Sequence, residues 1–327
     1  MGRFGRTSII VALLGLALLV PTVAAHLLGY SAAAGALVLP VAVGLVPAIL
    51  ADLRTALLAS VGVSLASGLA AATTGNAIAG AAIMAVTALL VGVACRWGRS
   101  KVLIVVIITV GFVICQTPAF ATAAPRNALI LAGATLASSL WGVAVGRVVR
   151  LRVPTHPTPA LEAWDRTWAY AITIAVLTGI AAFVSVNVNW GHGGAWFILT
   201  VVVVFQPYLQ DSFQRTWQRT AGTILGLLIA STIHELIPWQ PLIVIIGMIF
   251  MLVATYLLMN PAYPYWLFAS LLTPAIVLLT SSPTNFDSTA AARLFATLAG
   301  VGLAVLAEAL LAPLYRSAAH KHGHTRY

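Results

Sequence analysis

"QDSFQRTWQRTAGTILG", residues 210–226, changes character halfway along its length. Its first ten residues include Asp211, Arg215 and Arg219, and from Ala221 the chain turns apolar and stays so. Arg215, Arg219, Gly222 and Gly226 stand at i, i+4, i+7 and i+11, a spacing that a helix gathers onto one stripe. The stretch therefore reads as one helix passing from a polar edge into an apolar medium. Asp211 lies one turn before Arg215, a favourable ion-pair spacing, and Phe213 and Trp217 point elsewhere and suit an interface. Gly222 and Gly226 form a small-xxx-small pair, which lets helix backbones approach closely in lipid; Gly142 and Gly146 in "WGVAVG" do the same. Two readings of the stripe follow. Its arginines either anchor a tightly packed helix by snorkelling at the cytoplasmic interface, or line the inner mouth of a pathway.

Composition decides the medium. The 327 residues are 61% hydrophobic and 7% charged, with a mean hydropathy of +1.02. A soluble domain carries about 25% charged residues, so no water-soluble surface can be built from this chain. It reads as an all-α integral membrane protein. The net charge is +10, but the basic residues are few and clustered, which fits membrane orientation and argues against a nucleic-acid partner. Cys95 and Cys115 form no disulfide framework and read as small apolar filler.

Apolar runs of spanning length stand at roughly 9–28, 31–50, 55–73, 77–95, 102–121 and 127–148. A second set stands at roughly 168–187, 194–209, 219–237, 241–258, 264–281 and 293–312. This predicts about twelve transmembrane helices in two six-helix halves, 1–150 and 166–316. A cytoplasmic linker at 151–165, rich in proline and arginine, joins them, and a cytoplasmic tail follows at 317–327. The basic start, apolar core and "TVAA" of the N-terminus also resemble a cleavable signal peptide. The uncleaved span is preferred because the second half begins with a matching helix. With both termini inside, 15 of the 17 basic residues fall on the cytoplasmic side, and only Arg126 and Arg293 fall outside.

The halves read as repeats. "AAPRNALILAG" (123–133) and "AAARLFATLAG" (290–300) share a scarce arginine, and "TPA" recurs at 117–119 and 273–275. Six helices per half bring both halves in with the same direction, so the repeats are parallel. Arg126 and Arg293 are then expected at equivalent places, each heading a stripe: Arg126 to Gly133, and Arg293 through Thr297 to Gly300.

At this point the stretch "AWFILTVVVVFQPYLQDSFQRTWQRTAGTILGLLIA" (195–230) resembles the signature region of the fusaric acid resistance protein-like (FUSC) family. The matching residues are Trp196, Thr200, Pro207, Arg219, Gly222, Thr223 and Gly226. The family's second hallmark, an arginine followed by Thr and Gly, is met by Arg293, Thr297 and Gly300. Residues 165–313 carry the resemblance well and the first half more loosely; residues 45–70 lack the G-T step. The resemblance implies an exporter of aromatic carboxylic acids. Through the aluminium-activated malate transporters of plants, it implies an anion path between two six-helix units. Larger members carry a soluble domain after the first helical block, for which this chain has only its short linker.

Other groups are thinner. Glu308, within the last span, is an intramembrane or interfacial carboxylate and a candidate for coupling to protons. His234 and Glu235 lack a second histidine at zinc-motif spacing and read as an outer loop; "HKHGHTRY" (320–327) reads as a solvated tail. No P-loop, no Ser-His-Asp grouping and no metal-ligand cluster stands in the sequence, so neither an enzyme nor a cofactor is expected.

The sequence thus predicts a plasma-membrane transporter that exports small organic anions, with an anion channel of the same architecture or a non-transporting membrane scaffold as alternatives. Arg126, Arg293, Arg215 and Arg219 are the candidate pathway residues. Gly142, Gly146, Gly222, Thr223, Gly226, Thr297 and Gly300 are the candidate packing positions. The expected partners are small organic anions and the lipid bilayer, and a homo-oligomer is compatible with all of this.

Overall fold

A computed structural model describes residues 3–29, 37–117, 123–151, 161–205, 209–259, 263–280 and 285–321. Among these there are twelve α-helices and no strand. They are α1 (Arg3–Leu27), α2 (Val38–Leu50), α3 (Leu53–Ala72), α4 (Ala77–Val93), α5 (Ser100–Cys115) and α6 (Ala124–Arg150). Then come α7 (Trp164–Asn187), α8 (His192–Val204), α9 (Leu209–Leu236), α10 (Gln240–Met259), α11 (Tyr265–Thr280) and α12 (Phe286–Lys321). Five segments are long and apolar enough to cross a membrane: 53–72, 77–97, 124–150, 164–187 and 286–307. Six further apolar helices are shorter.

Each expected apolar run overlaps a helix, but some ends differ. α9 begins ten residues before the run at 219, because its polar first turns continue the same helical hydrogen bonding outside the apolar stretch. α12 likewise begins seven residues ahead of Arg293 and extends to Lys321. His234 and Glu235 therefore close a helix rather than occupy a loop. Most of the linker, 152–160, and the tail beyond Lys321 lie outside the described residues.

Without water, backbone groups must pair within their own segment, and helices do this completely. Buried hydroxyls follow the same rule. Ser60, Thr178, Ser185, Thr200 and Thr273 each donate to the carbonyl four residues earlier. Helix starts are fixed locally. Asp52 caps α3 by accepting from the Thr55 N–H at 2.8 Å, and Asn76 caps α4 through Ala79 N–H at 3.0 Å.

Helix contacts are made by small residues. α6 lies on α2, where an added Cβ at Gly142 would meet the Val41 carbonyl oxygen at 2.1 Å, and one at Gly44 the Ser139 carbonyl oxygen at 1.8 Å. Gly146 continues the seam against Leu45 and Ala48. α4 packs along α7 through Gly92 on Ala171 and Gly179 on Ala81 and Ala85. α9 packs along α11 through Gly222 on Ala269 and Gly226 on Thr273. α12 packs along α8 through Gly300 on Thr200 and Phe197.

Four buried apolar clusters result among the described residues, and two of them flank the site described below. The larger is built from α2–α8 with the inner face of α12, around Met84, Ile107, Leu131, Ile174, Trp196 and Ile198. A smaller one joins α9, α10 and α11 to the start of α12, around Ala230, Ile243, Val277, Leu278 and Phe286. The seam between these two bodies runs beside α8 and α12 on one side and α9 and α11 on the other.

Candidate functional site

The stripe 215–219–222–226 finds its explanation at this seam. Gly222 and Gly226 press α9 onto α11: an added Cβ at Gly222 would stand 2.6 Å from Ala269 Cβ, and one at Gly226 2.8 Å from the Ser270 carbonyl oxygen. With the backbones this close, Arg219 on the same stripe cannot escape to the surface. It is fully buried, at 0% exposure. Its Nη1 donates to the Tyr265 hydroxyl at the start of α11, 3.4 Å away, while Nε and Nη2 have no hydrogen-bond partner. Arg215 lies one turn earlier on α9, and its side chain is outside the described residues.

α12, which contributes to both cores, supplies a second cation. Arg293 is also 0% exposed, and none of its three guanidinium nitrogens has a hydrogen-bond partner. Its Cζ stands 5.2 Å from the ring centroid of Trp196 on α8, a cation–π contact. The two arginines are near enough for their charges to repel, and Tyr265 is within electrostatic reach of Arg293. Gly300, two turns along α12, seats that helix against Thr200, and this register is what sets Arg293 beside Trp196. Thr297 donates its hydroxyl to the Arg293 carbonyl at 2.9 Å. Of four further buried groups without a partner, Ser67 and Thr135 lie on α3 and α6, and two lie on α8 and α9: the Trp196 indole N–H and the Thr223 hydroxyl. Thr223 stands one turn beyond Arg219 on α9.

Burying a lone ion costs on the order of several kcal/mol after relaxation, and two like charges cost more. The described carboxylates do not offset it. Asp52 pairs with Arg99 at 2.8 Å and Glu162 with Arg166 at 3.4 Å, while Asp165, Glu235 and Asp287 are exposed. Helix rise separates the other two: Asp211 is eight residues from Arg219 and Glu308 fifteen from Arg293, about 12 Å and 22 Å along their axes. The arrangement is therefore a buried, twice-positive, donor-rich site whose chemical complement is an anion.

The other expected residues lie elsewhere. Arg126, in the first turn of α6, is exposed, and Gly133 on its stripe has open space where a side chain would be. Arg126 and Arg293 thus sit in opposite environments and form no pair. Glu308 is on α12, with its side chain outside the described residues. Gly142 and Gly146 belong to the α2–α6 contact, away from this site. Tyr265 is the member that sequence reasoning missed. "NPAYPYW" reads as turn chemistry, and nothing local marks one of its tyrosines as an arginine's partner.

A separate polar cluster ties helix ends together. Arg150 donates to the Ala51 carbonyl, Arg96 donates to the Glu162 carbonyl, and Arg96 also covers the Trp164 ring at 4.6 Å. Burial works against the Asp52 carboxylate. Hydrogen bonds from Thr55 and the charges of Arg99 and Arg150 outweigh it and hold its pKa below the ordinary value.

Residues 180–307 match the family model described as fusaric acid resistance protein-like. Trp196, Arg219, Thr223, Tyr265 and Arg293 all fall within the matched segment. No curated protein was found to match the chain. No solved structure was found to match it either. The matched segment covers less than half of the chain and lies on a helical bundle in which five segments are long and apolar enough to cross a membrane.

Proposed function

We propose that this chain exports small organic anions, aromatic carboxylates among them, across the plasma membrane, and that the Arg219–Arg293 pair is its anion site. One observation carries the reading: two fully buried guanidinium groups from different helices, with five nitrogens lacking any partner. A guanidinium stays charged at any physiological pH and offers a planar fork that matches a carboxylate. The match of residues 180–307 to the fusaric acid resistance protein-like family supports the aromatic class of substrate.

All twelve helices act as spans in this reading, as two parallel six-helix repeats with both termini in the cytoplasm. The helix contacts support the repeat. α6 packs on α2 and α3, as α12 packs on α8 and α9. α5 packs on α3 and α4, as α11 packs on α9 and α10. The orientation rests on the basic residues other than the buried pair Arg219 and Arg293, 14 of 15 on one side.

Flux of benzoate in proteoliposomes tests the assignment. Arg219→Gln and Arg293→Gln should each cut flux severely while insertion and folding persist. Arg→Lys should restore part of it, because the charge returns without the fork. Wild-type flux in the double glutamine variant would refute the site.

A further inference from the structure

Trp196 is one of the largest fully buried side chains and a member of the larger core, yet its face and its edge both meet polar chemistry that packing alone does not use. The ring face is turned to Arg293, which it stabilises electrostatically through its quadrupole. The ring edge carries an indole N–H that is buried and donates to nothing. An indole N–H is a donor only, and when buried it ordinarily finds an acceptor. An unmet donor in an apolar core is costly, and a phenylalanine would fill nearly the same space without that cost. His192 stands one turn before Trp196 on α8, with ring centroids 5.9 Å apart, so the tryptophan links the exposed start of α8 to the buried cation.

Resting on the reading of this site as an anion site, we propose that Trp196 is itself a ligand-binding residue, its indole N–H donating to the same oxyanion that the Arg293 guanidinium holds. A guanidinium stacked on the ring face keeps its own N–H groups in its plane, free to point past the ring. An oxyanion with two or more oxygens can take one oxygen to the guanidinium and another to the indole edge. A spherical anion cannot span two such directional donors as well. The Thr223 hydroxyl, also unpartnered, offers a donor from the opposite body. Trp196 thus makes the site selective for planar oxyanions over halides of equal charge.

The test compares benzoate with bromide by calorimetric titration of the purified full chain in nanodiscs. Trp196→Phe keeps an aromatic face for Arg293 and removes the N–H together with part of the ring. It is expected to weaken benzoate about tenfold, the loss of one charge-assisted hydrogen bond, and to change bromide less than twofold. Replacing Trp196 by benzothienylalanine, which has the tryptophan shape without the N–H, should reproduce the benzoate loss with an unchanged unfolding midpoint. Unaltered benzoate affinity in either variant would overturn the role of Trp196, and so would equal losses for benzoate and bromide. Failure of the wild-type chain to bind either anion would instead overturn the anion site itself.

Discussion

Gly142 of α6 lies directly against the backbone of Val41 in α2, so close that an added Cβ would stand 2.1 Å from the Val41 carbonyl oxygen. Gly133, nine residues earlier on α6, has nothing within 4 Å of the same position. The two glycines share a helix and differ only in what they face.

Their alanine variants should therefore move in opposite directions. Gly142→Ala forces α2 and α6 apart and should destabilise by about 1–3 kcal/mol or more. Gly133→Ala meets open space and relieves a helix-interior glycine, gaining about 0.5–1 kcal/mol. Unfolding midpoints in detergent read both. Equal effects would show that α2 and α6 do not make this contact.

The charge of the Arg219–Arg293 site carries its own expectation. One negative charge leaves the pair with an excess of +1, while a dianion balances it. Phthalate should bind more tightly than benzoate, and Arg293→Gln should shrink the difference. Titration of both ligands against both proteins checks it; equal affinities in the wild type would mean that only one arginine meets the ligand.

Tyr265→Phe removes the one hydroxyl that Arg219 touches. At 3.4 Å that bond is long, so the stability loss should stay near or below about 1 kcal/mol. Benzoate flux should fall more than stability does, because Arg219 loses the group that orients it. A flux unchanged from wild type would show that Tyr265 does not position Arg219.

Asp52 predicts an acid sensitivity. Its folded pKa is depressed, so the stability it contributes is complete above the unfolded carboxylate value. That stability drains away as pH falls through the folded value. Asp52→Asn should lose that contribution at neutral pH and show a flatter stability profile on acidification. Parallel profiles for the two proteins would remove Asp52 from the account.

Much of this was readable in advance, for physical reasons. Apolar runs bounded by turn residues fixed where helices lie, because a chain with so little charge leaves few other places for them. Arg219 and Arg293 stood out because basic residues are scarce, and the glycine spacing beside them marked close helix contacts. Arg126 and Arg293 differ in burial where the matched letters suggest likeness, and the cause is instructive. Matching "AAPRN" to "AAARL" aligns letters, but α6 starts two residues before Arg126 and α12 seven before Arg293. Where a helix begins depends on the residues ahead of it, and five extra residues move a side chain from an exposed end into a packed interior. Tyr265 was illegible because its role depends on α9 and α11 lying side by side.

The seam between the two cores acquires a mechanical meaning from the arginines beside it. Arg219 stands on α9 and Arg293 on α12, so their repulsion is a force between these two helices. An anion seated between them turns that push into a pull. In the proposed reading, whatever favours occupancy would favour the approach of α9 and α12 by the same free energy.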